Sequence, residues 1–457
     1  MSMTQIPTIH EASELLRAGR TTSRELVDAC LARIDRFEDR VQAWVLVDAE
    51  GARRQAAERD AELQGGRHRG LLHGVPIGIK DIIDVAGWPT LAGSRLRIGN
   101  VAAYDAPVVA KLRKAGAVIL GKTVTTEFAS FDPPPTRNPW NLARTPAGSS
   151  SGSAAAVALG MCIAAMGSQT GGSITRPAAY CGVAGCKPTY GRASLSGIVP
   201  LSFHLDHPGP IARDVTDLAI MLSAIAGYDP QDPISIDIPA PTYTAESARE
   251  TPPRLALLTG FFAEAATADV QASVDEALAK LVAAGATVDR IAPPPSFADV
   301  IVNHRRIMAI DAATHHRNNF PERRAEYGPC IAALMDEGLA ATVVEFAEAL
   351  EHQRHFARDL ELKLAGYDAI VTPATTTTAP GPETTGDPRF NAPFSYAGLP
   401  TVCFPCGLSS VDQMPVGLQL IGGRWTEGPL LSVAHWCEAE IGFSAPPPLL
   451  AECAAVG

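Results

Sequence analysis

The chain has 457 residues, of which 46% are hydrophobic and 19% are charged, and its formal net charge is −11. This acidic balance argues against nucleic acid as a partner, and the lack of an apolar run of about 18 residues argues against a transmembrane helix. The first residues do not read as a signal peptide, and the nine scattered cysteines suit reduced thiols, so we expect a cytoplasmic protein.

Two short patterns predict helices near the start of the chain. Thr8 with Glu11 and Thr22 with Glu25 have the spacing of a capping box, in which a threonine and a glutamate together cap the first turn of a helix. A stretch with apolar residues at helical spacing follows each pair. We therefore predict that residues 1–65 form a helical segment that packs on the core, outside the sheet.

Short apolar strands alternate with helices over the rest of the chain, which is typical of α/β folds. Strands are predicted at 75–79, 117–121, 254–260 and 369–373, and helices at 106–115 and 153–165. Sequence motifs are spread from residue 74 to beyond residue 400. We therefore predict one α/β/α layered domain over residues 66–457.

Glycines mark Ser173 as a candidate nucleophile. Ser173 follows Gly171 and Gly172, which allow the backbone to turn tightly and to aim N–H groups at one point. N–H groups arranged in this way stabilise the negative oxygen of a tetrahedral intermediate. The pattern therefore favours a hydrolase that works through a serine.

Lys80 is the candidate base for this serine. It follows the apolar stretch GVPIGI, and burial lowers the pKa of a lysine because the charged form loses its hydration. A neutral lysine can accept the serine proton, with Ser149 of the run PAGSSSGS as a relay between them. Asp81 and Asp84 oppose the shift, because they favour the charged lysine.

At these residues the chain resembles the amidase signature family, whose members are serine hydrolases with a lysine, a serine after a cis peptide bond, and a second serine. The resemblance implies an α/β/α layered fold with a central mixed sheet of many strands, and catalysis without a metal or another cofactor. It makes Lys80 the base, Ser149 the relay and Ser173 the acylated nucleophile. The backbone N–H groups of four consecutive residues would form the oxyanion hole: Thr170, Gly171, Gly172 and Ser173.

The chain departs from the usual family pattern at three positions. Ala147 and Ser151 replace glycines, and Gln169 stands where an aspartate is frequent. None of the three changes removes a member of the triad. We expect Ser150 and Gln169 to support the site by hydrogen bonds, although Gln169 removes a charge from the network around the nucleophile.

The substrate is expected to be a small amide or carbamate. Phe131 precedes the serine-rich loop and suits an apolar or aromatic group of the substrate, such as an aryl amide or anilide. Arg176 either binds a carboxylate of the substrate or ties its loop to a nearby acid, and the second role is favoured. A helical insertion at about 295–350 is expected to cover the mouth of the site. The sequence leaves open whether the chain forms a homodimer.

Other functions have to be weighed against this one. Within the family, the alternative is the glutaminase subunit of an aminoacyl-tRNA amidotransferase complex. Gly116–Thr123 match the phosphate-binding pattern G-x-x-x-x-G-K-[ST], but the apolar interior of the motif favours a strand. Gly148–Gly152 match a nucleophile elbow centred on Ser150, but no apolar strand precedes them. Cys403 and Cys406 form a single C-x-x-C, which is weak support for a metal site.

Overall fold

The computed structural model describes residues 6–243, 249 and 251–451. Its strands form one sheet, in the order β1-β3-β2-β4-β6-β5-β10-β11-β9-β7-β8. The strands are β1 Trp44–Val47, β2 Pro76–Lys80, β3 Val118–Thr123, β4 Ala164–Gln169, β5 Ala184–Lys187, β6 His207–Ala212, β7 Arg254–Leu258, β8 Thr287–Ile291, β9 Ala369–Pro373, β10 Thr401–Leu408 and β11 Pro415–Ile421.

Helices cover this sheet. They are α1 Ile9–Arg17, α2 Ser23–Val41, α3 Ala49–Gln64, α4 Pro107–Lys114, α5 Ser151–Ala158, α6 Thr175–Cys181, α7 Val215–Ile225, α8 Phe261–Ala265, α9 Ala268–Ala283, α10 Val300–His316, α11 Phe320–Arg323, α12 Pro329–Ala340, α13 Val343–Leu364, α14 Ala392–Tyr396, α15 Glu427–Ile441 and α16 Pro448–Ala451. Among the helices that the structure describes, none combines the length and hydropathy needed to cross a bilayer.

The sheet is mixed, which confirms the predicted fold class. β2 runs parallel to β3 and β4, and β7 runs parallel to β8 and β9. The other neighbouring strands are antiparallel. One hydrophobic core extends from Ile6 to Leu449, so the two groups of parallel strands share a continuous interior.

The prediction of helices alone in the first 65 residues is wrong for β1. Both capping boxes are present, at Thr8 with Glu11 and at Thr22 with Glu25. Between α2 and α3, however, Trp44–Val47 pair antiparallel with β3. All four residues are apolar, so the segment shows no polar–apolar alternation that would mark a strand in the sequence. The N-terminal segment therefore contributes a strand to the sheet and does not lie wholly outside it.

The prediction of one helix over residues 153–165 is also wrong in its second half. α5 ends at Ala158, Gly160 adopts a left-handed φ of 66°, and the chain then enters β4. β4 is buried along its whole length. Its first five residues, Ala164 to Ser168, are apolar or small, and such a run cannot be distinguished from a buried helix by periodicity.

The phosphate-binding motif at Gly116–Thr123 is part of the sheet. Val118–Thr123 form β3, and the Lys122 side chain is buried with its Nζ 2.9 Å from Asp81 Oδ1. A lysine paired with a buried carboxylate cannot reach a phosphate in solution. The structure therefore excludes the nucleotide-binding alternative at this motif.

Candidate active site

The candidate site lies where β2 and β4 end side by side. Because these strands are parallel neighbours, their carboxyl ends reach the same edge of the sheet. β2 ends at Lys80, and β4 leads into the nucleophile loop, which we define as residues 170–174 before α6. Ser149 lies two residues before α5. The fold therefore brings three distant parts of the sequence to one point.

Lys80 is fully buried and contacts two hydroxyl groups. Its Nζ donates to Ser149 Oγ at 2.6 Å and to Ser168 Oγ at 2.8 Å. Burial lowers the pKa of Lys80 to about 7, and the negative charge of Asp206 opposes this shift. Near neutral pH a large fraction of the lysine is thus neutral and able to accept a proton.

The acids that oppose the shift are not those expected from the sequence. Asp81 is engaged by Lys122, and the charge that acts on Lys80 belongs to Asp206, which precedes β6. Asp206 is buried, and burial raises its own pKa to about 6. Its Oδ2 accepts hydrogen bonds from the backbone N–H groups of Leu201 at 2.8 Å and Ser202 at 3.1 Å.

The two serines are held by backbone contacts. The Gly148–Ser149 peptide is cis, as the resemblance implied, and the Ser149 carbonyl accepts a hydrogen bond from Thr126 N–H at 3.3 Å. The Ser173 carbonyl accepts one from Ser150 N–H at 3.2 Å. Within the described residues no hydrogen bond joins the Ser149 and Ser173 hydroxyls, so the second half of the relay stays a prediction.

The nucleophile loop presents N–H groups without acceptors. Among the described residues, the N–H groups of Gly171, Gly172 and Ser173 make no hydrogen bond, whereas the loop carbonyls are occupied. Thr170 carbonyl accepts from His304 Nε2 at 3.1 Å, and Gly171 carbonyl accepts from Ser395 Oγ at 2.8 Å. Donors left free in a loop fixed through its carbonyls are suited to an oxyanion.

Gln169 fixes the end of this loop. Its Oε1 accepts from the N–H groups of Ile174 and Thr175 and from Thr175 Oγ1, each at 2.9 Å. Its Nε2 donates to Ser395 Oγ at 3.1 Å. An aspartate is frequent at this position in the resembled family. Here the neutral amide oxygen of Gln169 accepts three hydrogen bonds, so the network around the loop is complete without a negative charge.

Ser150 contacts the backbone of Ser168 and makes no hydrogen bond to Lys80 itself. It is fully buried, its Oγ donates to Ser168 carbonyl at 3.2 Å, and it accepts from Ser168 N–H at 3.3 Å. It thus contacts the residue that shares Lys80 with Ser149. A buried hydroxyl bonded to the backbone is also a poor nucleophile, which argues against the elbow centred on Ser150.

Two roles were expected for Arg176, binding a carboxylate of the substrate or pairing with a nearby acid, and the structure supports neither. Only 2% of the residue is exposed, and Nη1 and Nη2 donate to the carbonyls of Gly386 at 2.9 Å and Gly148 at 2.8 Å. Arg176 therefore connects the loop before Ser149 to the connection that follows β9. Phe131 is half-buried against the main core, and its contact with substrate stays a prediction.

Sequence reasoning missed Ser168, Asp206 and His304. Ser168 is two residues before Thr170 on β4, so a correct assignment of that strand would have placed it beside Lys80. Asp206 directly precedes β6 and His304 lies in α10, and no motif links them to the serines. His304 lies in the region predicted as a helical insertion, where α10, α11 and α12 are found.

Comparisons with known proteins agree with this geometry. The model of the amidase family matches residues 25–431. AmiD of Mycobacterium tuberculosis is 34% identical over 454 residues, which cover 95% of this chain and 94% of AmiD. A glutamyl-tRNA(Gln) amidotransferase subunit of Moorella thermoacetica is 37% identical over 470 residues, covering 94% and 95% of the two chains. The crystal structure of the Stenotrophomonas maltophilia peptide amidase has 32% identity and a TM-score of 0.84, covering 96% and 98%.

Proposed function

This chain belongs to the amidase signature family and is a hydrolase of carbon–nitrogen bonds, and from that premise we propose that it cleaves small amides through an acyl-enzyme on Ser173. The observation that carries the proposal is the 2.6 Å hydrogen bond between Lys80 Nζ and Ser149 Oγ. Burial keeps much of this amine neutral near pH 7, so it can act as a base.

The proposed reaction has two halves. In the first, Ser173 Oγ attacks the carbonyl carbon, Ser149 takes the Ser173 proton and passes its own proton to Lys80. The negative oxygen of the tetrahedral intermediate accepts hydrogen bonds from the loop N–H groups. Lys80 then returns a proton through Ser149 to the nitrogen, and the C–N bond breaks. In the second half, water attacks the ester carbon along the same proton route and releases the acid and Ser173.

Aryl amides, anilides and carbamates are the proposed substrates, and esters are a proposed side activity. The half-buried Phe131, ahead of the serine-rich loop, supports this choice. The His304 ring lies next to Gly171 and packs edge-on against Tyr396, with 6.4 Å between ring centroids. Both of these rings are buried, so they support the loop and do not contact substrate themselves.

A substrate panel with trapping of the acyl-enzyme tests the proposal. Primary amides, anilides, carbamates and p-nitrophenyl esters are offered to the wild type and to Ser173→Ala. We expect amide turnover by the wild type, none by the variant, and a mass increase equal to the acyl group on the peptide that contains Ser173. Turnover by Ser173→Ala, or an acyl group on another serine, would contradict the assignment.

The second candidate function is the glutaminase subunit of an amidotransferase complex. The 37% identity to the glutamyl-tRNA(Gln) amidotransferase subunit of Moorella thermoacetica over nearly the whole chain favours it. That function predicts that the purified chain is inactive on simple amides and gains glutaminase activity only with partner subunits. Amide hydrolysis by the isolated chain would reject this alternative.

The pH dependence of kcat/KM tests whether the charge of Asp206 acts on Lys80. The wild-type kcat/KM should rise with pH through a midpoint near the Lys80 pKa of about 7, because the neutral lysine is the base. Lys80 faces two hydroxyls and Asp206, whereas the neighbouring Asp81 is paired with Lys122. Asp206→Asn removes the charge that favours protonated Lys80, so its midpoint should move to lower pH.

Asp206→Glu is the matched control for that experiment. It keeps the charge and should restore a midpoint close to that of the wild type, even if the rate falls. A lower rate with an unmoved midpoint in Asp206→Asn would show that Asp206 only maintains the structure.

A further inference from the structure

A second cavity, of about 350 Å³, lies outside the candidate active site. It is bounded by the loop after Ser94, by the region before the serine-rich loop, and by the chain around the end of α10. We call it the arginine pocket and define it by Arg97, Phe128, His316, Arg323 and Tyr327. Leu96 and Ile98 add apolar wall, and its volume falls in the range of sites for small organic molecules.

The arginine pocket is separate from the nucleophile. Lys80, Ser149 and Ser173 are not among its lining residues. His304 contacts the nucleophile loop, and His316 follows it by twelve residues on the same helix, α10. At the rise of an α-helix this separation is about 18 Å. A ligand held at the His316 end of the pocket would therefore lie far from the nucleophile loop.

The side chains that line the pocket carry positive charge. None of the described lining residues is acidic, and Arg97 forms no ion pair among the described residues, although the charges of Asp84 and Asp81 act on its guanidinium from behind the lining. The Arg97 Nε donates to Thr90 carbonyl at 2.9 Å. Arg323 pairs with Glu326, but both side chains are exposed. An exposed ion pair is weak, so Arg323 can exchange Glu326 for a ligand at little cost in free energy.

His316 contributes a buried ring to the wall of the pocket. Its ring is 95% buried; Nδ1 lies 3.2 Å from the Tyr327 hydroxyl, and Nε2 is buried with no hydrogen bond. Burial lowers the pKa of His316 to about 3 and raises that of Tyr327, so the ring is neutral and the hydroxyl keeps its proton. The Nε2 atom is not exposed to the cavity, so His316 shapes the pocket wall with its ring and does not donate to a ligand there.

We propose that the arginine pocket binds a small aromatic carboxylate. The guanidinium of Arg97 offers paired donors that match a carboxylate, and Arg323 adds a second guanidinium to the lining. Phe128 packs edge-on against His316, with centroids 4.4 Å apart, and provides an aromatic wall for the ring of the ligand. The inference does not rest on the proposed function, because the pocket shares no residue with the triad.

Calorimetric titration of the full chain with benzoate tests the site. Acetophenone, which has a similar shape but no charge and no hydrolysable bond, is the ligand control. We expect saturable benzoate binding, with Kd raised about tenfold or more in Arg97→Gln, and binding of acetophenone weaker by a similar factor. Ser173→Ala should bind benzoate as the wild type does.

Two neighbouring surface arginines provide a matched pair of variants that should both fold. Arg323→Gln changes a residue that lines the arginine pocket. Arg324→Gln removes an exposed arginine that pairs with Asp336 and lies outside the lining of the pocket. Only Arg323→Gln should weaken binding. The proposal is overturned if the wild type shows no saturable binding, if all variants bind alike, or if labelling of Ser173 blocks benzoate. The last outcome would place benzoate in the active site and would leave the proposed hydrolysis intact.

Discussion

Replacing Lys80 with methionine is expected to lower kcat/KM for amides by about 10³-fold, the usual contribution of a general base. In the proposed mechanism the lysine accepts the proton from Ser149, whereas methionine has a similar length but cannot accept a proton. Turnover of p-nitrophenyl esters should fall less, because their leaving group does not need a proton. Steady-state kinetics with an anilide and with the matching ester measure both effects.

The same change is expected to raise the melting temperature. Lys80 has a pKa of about 7 in the folded chain and 10.5 as its ordinary value, so between these pH values the unfolded chain binds more protons. Burial of the lysine therefore costs stability below pH 10.5, most fully below about pH 7. Methionine removes this cost, so at pH 8 we expect an inactive and more stable enzyme. A variant that lost activity through unfolding would show the opposite change in melting temperature.

Lys187 provides a matched control for Lys80. It is also fully buried, and burial lowers its pKa to about 7. Its Nζ, however, donates to the backbone carbonyls of Leu399 and Pro188 and to no serine. Lys187→Met should therefore retain amide turnover per folded molecule. An equal loss in both variants would show that burial of an amine, and not its contact with Ser149, explains the effect.

Replacing Arg176 with methionine is expected to lower the free energy of unfolding by about 3 kcal/mol, because two buried carbonyls lose a charged donor. One of these carbonyls belongs to Gly148, directly before Ser149, so activity should fall as well. Chemical denaturation and amide kinetics at a temperature where the variant is folded separate the two effects.

Arg192 is the control for this prediction. It is buried and pairs with Glu427 at 3.2 Å, away from the serines. Arg192→Met should lose stability and keep the turnover of the folded enzyme. If Arg176→Met kept full turnover, Arg176 would have no part in positioning Ser149.

The triad candidates could be predicted because each lies in a short local pattern. Lys80 ends an apolar strand, and Ser149 and Ser173 are surrounded by small residues, so local sequence indicates both their chemistry and their backbone. The contact between Lys80 and Ser149 itself followed from the family resemblance. The mixed sheet was also predicted from that resemblance, and its order could not be read from the strands alone.

The errors have physical causes that lie in tertiary structure. Arg176 was predicted to contact either the substrate or an acidic residue. Its guanidinium instead binds two buried carbonyls, and one of them is supplied by Gly386, a loop residue far away in the sequence. Asp206 could not be found, since its charge acts on Lys80 only after β4 and β6 pair. The helix predicted at 153–165 runs on into the first two residues of β4, because the buried segment that follows α5 is as apolar as the helix itself.

The position of β1 restricts how the protein can be shortened. β1 is the last strand on one side of the sheet and pairs with β3 through its backbone. A chain cut after residue 65 would leave the N–H and C=O groups of β3 uncovered on that side, and such a bare strand recruits other chains. The N-terminal segment and the candidate active site therefore belong to the same folding unit. A shortened protein that still folds has to retain Trp44–Val47.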